Sequence, residues 1–242
     1  MPDRARPRKP APSVLPILIA AMVLPAVAAF FYFVLAQSLP VFWQRSSYAL
    51  GKIVFVLPLL WHLGVERRPF PRGPRSSAGL MSGLVFGLFV TAAMLVLYFA
   101  GLRATSPFHA AADAVRDKLI GFGLNAPAPY AAFAVLVSLL HSALEEYYWR
   151  WFVFGRLREY LPFLPAAAVG SLAFAAHHVI ILGVYFGWAS VTQFVFSLGV
   201  AVGGMVWCLL YHRTGSLLGP WLSHALIDAA IFAVGYDLVI AS

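Results

Sequence analysis

Long apolar runs constrain this chain more than any other feature of its sequence. A helix needs about 20 residues to cross the roughly 30 Å hydrocarbon layer of a bilayer. Seven apolar runs reach or approach that length, near residues 14–36, 48–64, 78–101, 130–155, 163–183, 189–211 and 217–239. With 62% hydrophobic and 11% charged residues, the 242-residue chain lies outside the range of soluble globular proteins. The sequence therefore predicts an all-α integral membrane protein with about seven transmembrane helices, with six or eight left open.

The apolar runs and the stretches between them divide the chain into four regions. We expect a disordered basic tail at residues 1–13, N-terminal transmembrane helices at 14–101, a loop with an interfacial helix at 102–129, and a helix bundle at 130–239. The single cysteine, Cys208, excludes a disulfide within the chain and a zinc site built from several thiolates.

The connection TSPFHAAADAVRDKLIGFG has the pattern of an amphipathic helix. Ser106 followed by Pro107 is typical of an N-cap and a first helical residue. Opposite a charged face, apolar residues then recur at helical spacing: Phe108, Ala112, Val115, Leu119 and Phe122. This pattern predicts a helix near 106–122 that lies in the membrane interface and anchors the loop. A role as a lid or substrate guide stays open.

Lys and Arg in the loops indicate the orientation, because cytoplasmic loops are enriched in these residues. If the N-terminal tail is cytoplasmic, that side holds eleven: Arg4, Arg6, Arg8, Lys9, Arg67, Arg68, Arg72, Arg75, Arg156, Arg158 and Arg213. The opposite side holds four: Arg45, Arg103, Arg116 and Lys118. The bias predicts a cytoplasmic N-terminus, and the compact length favours the bacterial inner (plasma) membrane. The net charge of +8 is thus mainly a topology signal, and no nucleic-acid-binding motif accompanies it.

Ionisable residues inside the apolar runs are candidates for function. A charged side chain at the bilayer centre costs at least about 2.5–3.5 kcal/mol on insertion scales, so such residues normally face the bundle interior. Three groups stand out: Glu145, Glu146 and Arg150 in LEEYYWR, His177 and His178 in FAAHH, and His224 and Asp228 in SHALID.

Helical spacing indicates which of these residues share a face. Glu146 and Arg150 are four residues apart and can neutralise each other. Glu145 points about 100° away from Glu146, which leaves its carboxylate free for chemistry. His224 and Asp228 are also four apart, so the carboxylate can orient the imidazole.

Distance along the helices gives an independent estimate of depth. If GRLREYLP forms a short turn centred near Leu161, Glu145 and His178 lie at nearly equal depth, roughly 20–25 Å along their helices. His224, about nine residues into the last helix, is expected to be shallower but within reach. His141 precedes Glu145 by four residues and is expected to contact it.

The order of these motifs resembles the CPBP family of intramembrane proteases. That family includes the type II CAAX prenyl endopeptidases and bacterial homologues linked to bacteriocin processing and immunity. The motifs are a Glu-Glu-x-x-x-Arg, a Phe-x-x-x-His and a His-x-x-x-Asn/Asp, here Glu145, Glu146 and Arg150, Phe174 with His178, and His224 with Asp228. The resemblance covers roughly residues 130–236 and leaves the first three helices outside it.

The resemblance implies peptide-bond hydrolysis within the membrane by the 130–239 bundle. Glu145 with His178 would activate a water molecule as general base, while His224 and Asp228 would stabilise the oxyanion. Asp228 stands where many family members carry Asn. Because an ionised Asp cannot donate a hydrogen bond to an oxyanion, Asp228 would have to be protonated or act through His224.

The remaining polar residues take supporting roles in this interpretation: Glu146, Arg150, Phe174, His177 and His141. Among them, Arg150 would hold Glu146. His177 lies about 100° round the helix from His178 and would be structural or accessory. The expected partners are a membrane-associated protein or peptide substrate and the lipid bilayer. The identity of the substrate and the oligomeric state stay open.

Other interpretations use the same residues. Buried polar groups also hold membrane helices together, as in a non-catalytic membrane scaffold or immunity protein, and a Glu/His proton relay would suit a transporter. Imidazole and carboxylate groups are ordinary zinc ligands, so zinc is an alternative. A glutamic mechanism without a cofactor is favoured, because no His-Glu-x-x-His motif is present and one glutamate is engaged with Arg150.

Overall fold

The protein is a bundle of long helices. The computed structural model describes residues 14–66, 77 and 79–241. These residues form eight long helices: α1 (Val14–Ser38), α2 (Val41–Glu66), α3 (Leu80–Ala100), α4 (Ser106–Phe122), α5 (Pro127–Tyr160), α6 (Phe163–Phe186), α7 (Val191–Thr214) and α8 (Leu218–Val239). All except α4 are long and apolar enough to cross a membrane. The chain is therefore an all-α integral membrane protein, as the apolar runs predict, and the expected tail at 1–13 lies outside the described residues.

Two of the spanning helices are longer than their apolar runs. Helix α2 begins at Val41 rather than near residue 48, because Pro40 precedes it with a backbone suited to an N-cap, and the polar Gln44 and Arg45 conceal its first turns in the sequence. At the other end of the bundle, the turn expected over GRLREYLP is confined to two residues. Helix α5 continues to Tyr160, and Leu161 is extended, the conformation that a following proline favours.

Helix α4 has the bounds that the amphipathic pattern predicts. Its apolar face is buried at Phe108, Ala112 and Leu119, and packs against α6 and α8. Thr105 rather than Ser106 occupies the N-cap position. Gly123 ends the helix in the left-handed region at φ 72°, which a glycine adopts without strain. We refer to the end of the bundle at which α4 lies as the α4 end.

Helices α1 and α5 are joined where a proline leaves a carbonyl unpaired. Pro25 lies inside α1 and has no N–H to donate to the carbonyl of Ala21, four residues earlier. The Tyr148 hydroxyl of α5 donates to that carbonyl at 2.7 Å. This bond fixes α5 against α1 close to the paired glutamates.

The two adjacent glutamates of α5 lie between two π-helical stretches, Val137–His141, which includes His141, and Tyr147–Phe154, which includes Arg150. A π-helical turn holds an extra residue and frees carbonyls from the regular pattern. The carbonyl of Leu139, in the first of these stretches, accepts hydrogen bonds from Trp221 Nε1 of α8 at 2.8 Å and from the Ser142 hydroxyl at 3.3 Å. The bond from Trp221 attaches α5 to α8.

Helices α3 and α8 approach to backbone contact through small residues. A Cβ on Gly83 would fall on the carbonyl of Gly219, and a Cβ on Gly87 would lie 2.8 Å from the Cα of Ser223. Small residues spaced by four allow this approach between membrane helices. The contact sets the position of α8, which carries His224 one residue after Ser223.

The substitution Gly83→Ala should therefore destabilise the bundle. We expect a loss of about 1–3 kcal/mol, the usual cost of overpacking, measured as a lower melting temperature in detergent. Gly199→Ala is the matched control, because nothing lies within 4 Å of its added Cβ. That change should be neutral or stabilise the helix by up to about 1 kcal/mol. Equal melting temperatures for both variants would show that the α3–α8 contact is not tight.

Candidate active site

Glu146 is the most enclosed carboxylate of the site. It is fully buried, and Arg150 Nη1 lies 3.0 Å from its Oε1 atom, as the four-residue spacing predicts. His224 Nδ1 of α8 lies 2.8 Å from the same oxygen and donates to it. Glu146 is therefore neutralised within α5 and connects α5 to α8.

Arg150 lies between two aromatic rings. Its guanidinium carbon is 4.7 Å from the ring centres of both Phe174 on α6 and Trp207 on α7. Such cation–π contacts stabilise a charge that has lost its water. Trp207 also stacks on His224, with ring centres 4.3 Å apart, and donates from Nε1 to Ser223 Oγ at 2.8 Å. One buried cation thus joins α5, α6, α7 and α8.

Glu145 is surrounded by imidazoles from three helices. Its Oε1 atom lies 3.5 Å from Nε2 of His141 and 3.4 Å from Nε2 of His177. Its Oε2 atom lies 3.5 Å from Nε2 of His224. The contact with His141 is the one that the sequence spacing predicts. Glu145 therefore faces ring nitrogens, whereas Glu146 faces an arginine.

The histidine doublet of α6 has an arrangement that the sequence does not reveal. His177, which the spacing from Phe174 left as accessory, is the member that contacts Glu145. His178 places Nδ1 3.2 Å from the carbonyl of Phe174, and its ring centre lies 4.0 Å from that of His177. Which histidine meets Glu145 depends on the rotation of α6 about its axis, and that rotation is set by packing.

His224 reaches further into the site than its place in the sequence suggests. Expected to be shallower than Glu145, it contacts both glutamates, and its Nε2 lies 3.6 Å from Oδ1 of Asp228, its expected partner. The depth expected for His224 comes from counting residues along α8, which does not give the level in the membrane at which α8 starts. That level is set by the contact of α8 with α3, where Gly219 meets Gly79.

Aromatic rings hold the ionisable groups in place. The ring of Phe174 lies 4.7–6.1 Å from those of both α6 histidines and of His224. Trp149 stacks flat on His177, with ring centres 6.0 Å apart and planes 8° from parallel. The tryptophans Trp149 and Trp207 were not singled out from the sequence, because inside an apolar run an aromatic residue carries no pattern that separates a site residue from a lipid-facing one.

The described side chains contain no group of three or more His, Cys, Asp and Glu residues arranged to hold a metal ion. Glu146 is occupied by Arg150 and His224. The imidazoles contact Glu145 itself rather than a shared empty point. The carboxylates and imidazoles of the site are thus engaged with one another in this structure.

The fold and the site define an integral membrane bundle with a buried carboxylate and imidazole centre. Residues 127–230 match the model of a family described as Type II CAAX prenyl endopeptidase Rce1-like. This segment covers α5, α6, α7 and most of α8, and the match confirms the resemblance that the three motifs predict. No curated protein and no solved structure matches the chain.

Removing the buried arginine should unfold the site. In Arg150→Met, the buried Glu146 carboxylate loses its cation, and breaking a buried pair typically costs about 3–5 kcal/mol. We expect a clear fall in melting temperature, partly recovered in the double variant Glu146→Gln/Arg150→Met. The control Asp113→Asn removes an exposed ion pair with Arg116 and should cost less than about 1 kcal/mol. An Arg150→Met protein that melts like the wild type would show that the pair does not hold the bundle together.

Proposed function

We propose that the protein is an intramembrane endopeptidase that hydrolyses a peptide bond of a membrane-associated protein or peptide. The observation that carries this proposal is the carboxylate of Glu145, enclosed by imidazoles from three helices. It lies within a segment that is similar to type II CAAX prenyl endopeptidases.

The two adjacent glutamates are suited to different tasks. Glu146 has its charge balanced by Arg150 and accepts a hydrogen bond from His224, so its role is structural. Glu145 has no arginine or lysine partner among the described residues and is the candidate general base. Its carboxylate would take a proton from a water molecule as the water attacks the carbonyl carbon of the substrate.

Hydrogen bonding supports a different role for each histidine of α6. A carbonyl oxygen can only accept, so the contact with Phe174 places a proton on Nδ1 of His178. A neutral His178 ring then keeps a lone pair on Nε2, which can accept a proton from water. His177 directs Nε2 towards the Glu145 carboxylate, so this nitrogen donates. We therefore assign water activation to Glu145 with His178, and orientation of the carboxylate to His177.

His224 and Asp228 are assigned to the oxyanion. His224 is held by its bond to Glu146, so its Nε2 edge is fixed towards Glu145 and Asp228. A donor fixed in place before the reaction stabilises the negative charge of a tetrahedral intermediate. Asp228 would act through His224 by holding the proton on Nε2. The proton taken from water is finally delivered to the leaving amine, which completes hydrolysis.

The orientation and location of the protein belong to the same proposal. The excess of Lys and Arg in the loops on one side supports a cytoplasmic N-terminus, and we propose the bacterial inner membrane as the location. A transporter or a non-catalytic scaffold would keep the same polar residues without cleaving any peptide. Cleavage of a peptide substrate separates an endopeptidase from these classes of protein.

Replacing the water-activating pair should abolish cleavage without unfolding the protein. We expect Glu145→Gln and His178→Gln each to lower cleavage at least about 100-fold. Each variant is reconstituted with host membrane proteins in liposomes, and cleavage is measured as new peptide termini identified by mass spectrometry. Melting temperatures should stay near that of the wild type.

The control for this experiment is Glu159→Gln, which changes a carboxylate paired with Arg156 away from the site. It should cleave like the wild type. Near-normal cleavage by Glu145→Gln would refute the assignment. If the wild type and Glu145→Gln samples contain the same peptide termini, the non-catalytic classes of protein are favoured.

Metal analysis tests the chemistry separately. We expect purified protein to hold much less than one zinc ion per chain and to keep its activity after exhaustive chelation, because Glu146 is occupied by Arg150 and His224. The metal content is measured by elemental analysis. One bound zinc per chain, with activity lost on chelation and restored by zinc, would show that the protein is a metalloprotease.

A further inference from the structure

Three basic side chains near the α4 end pack on aromatic rings. Arg45 Cζ lies 5.6 Å from the ring centre of Phe122, and Lys118 Nζ lies 4.7 Å from that of Tyr32. Lys52 Nζ lies 4.7 Å from the ring of Tyr48. None of the three cations forms an ion pair with an Asp or Glu of the described ranges.

The rings that carry these cations adjoin one another. The ring centres of Tyr32 and Tyr48 are 5.2 Å apart, and those of Tyr48 and Phe122 are 6.1 Å apart. Helices α1, α2 and α4 thus share one region in which positive charge alternates with aromatic rings, of which Tyr32 is buried. We call it the basic aromatic surface and define it by six residues: Tyr32, Arg45, Tyr48, Lys52, Lys118 and Phe122.

The polar contacts of this surface leave its charge uncompensated. Lys118 donates to the side-chain oxygen of Gln37, and Arg45 donates to the carbonyl of Gly121. Both acceptors are neutral. Burial lowers the pKa of the Lys118 amine, as expected where no anion stabilises the charged form. The surface therefore has the chemistry of a site for an anion.

Lys52 extends the surface towards the middle of the membrane. It lies eleven residues after Val41, about 16 Å along α2, within a span that ends at Glu66. A lysine at this depth is costly unless it faces the protein interior and has a function. A lipid headgroup remains at the interface, so the depth of Lys52 favours an anion carried into the bilayer by a peptide.

A chain of ring contacts leads from Lys52 to the candidate base. Lys52 Nζ lies 5.8 Å from the ring of Phe55, and that ring meets His141 with centres 5.4 Å apart. His141 in turn contacts Glu145 at 3.5 Å. The His141 side chain is 27% exposed and that of Glu145 only 6%. One accessible edge of the site therefore lies at His141 and faces α2 and Lys52.

We propose that the basic aromatic surface binds a carboxylate of the peptide substrate, with Lys52 as the innermost cation, and so directs a neighbouring peptide bond to Glu145. The carboxylate belongs either to an acidic side chain or to a free C-terminus. The aromatic rings lie against the charged ends of the three side chains and limit their access to water, which strengthens a contact with an anion. This inference rests on the proposed function and adds the chemical class that the substrate presents.

A binding experiment tests the surface without requiring cleavage. The protein carries Glu145→Gln. Two probes bear a carboxylate: N-dodecanoylglycine has a terminal one, and N-dodecanoylglutamic acid α-amide has a side-chain one. The third probe, N-dodecanoylglycinamide, is neutral. Affinity is measured by calorimetry in a neutral detergent. We expect at least one carboxylate probe to bind tenfold or more tightly than the neutral probe, and the tighter of the two identifies the source of the carboxylate.

Variants locate the binding to the surface. Lys52→Gln should abolish the preference for the carboxylate, and this variant should fold, because it removes a charge from mid-membrane. Lys52→Arg should keep most of the preference. Arg213→Gln, which removes a basic residue at the other end of the bundle, should leave it unchanged.

Three results would overturn the proposal. The first is equal affinity for charged and neutral probes, and the second is a preference that survives the double variant Lys52→Gln/Lys118→Gln. The third is displacement of both carboxylate probes by short-chain phosphatidylglycerol that binds with higher affinity, a result that would assign the surface to lipid. Because binding is measured in Glu145→Gln, these results are independent of peptidase activity. A carboxylate site in a chain that cleaves nothing would refute the proposed function alone.

Discussion

A buried guanidinium is the charge on which the second half of the bundle depends. Arg150 has no access to water, so the protein must supply its counter-charge and its packing. Glu146 supplies the charge, and Phe174 and Trp207 supply aromatic faces from two further helices. His224 then binds the same glutamate from a fourth helix. Neutralising one cation and packing it between aromatic rings thus relates the positions of α5 to α8.

The same interaction produces the difference between the two adjacent glutamates. Neighbouring residues of a helix point about 100° apart, so the residue that meets the arginine excludes its neighbour from that contact. Glu145 is left to the imidazoles of His141, His177 and His224. A structural requirement of the bundle therefore leaves Glu145 in contact with imidazoles rather than with an arginine or lysine of the described residues. Imidazoles exchange protons readily, which suits a neighbouring general base.

Features confined to one helix could be predicted from the sequence, and features between helices could not. The bounds of α4 and the pairing of Glu146 with Arg150 follow from periodicity within a single segment. The contact of His177 rather than His178 with Glu145 depends on the rotation of α6, and the level of His224 depends on glycines of α3 far away in the chain. The roles of the site residues in catalysis stay predictions.

The bond between the Tyr148 hydroxyl and the Ala21 carbonyl has a consequence for biogenesis. The two residues are 127 positions apart, so α1 enters the bilayer long before its partner is synthesised. An unpaired carbonyl in hydrocarbon costs several kcal/mol, and Pro25 ensures that α1 cannot pair this carbonyl itself. The first helix is thus completed only when α5 arrives beside it. A segment outside the match to known endopeptidases thereby becomes a template on which the matched segment assembles.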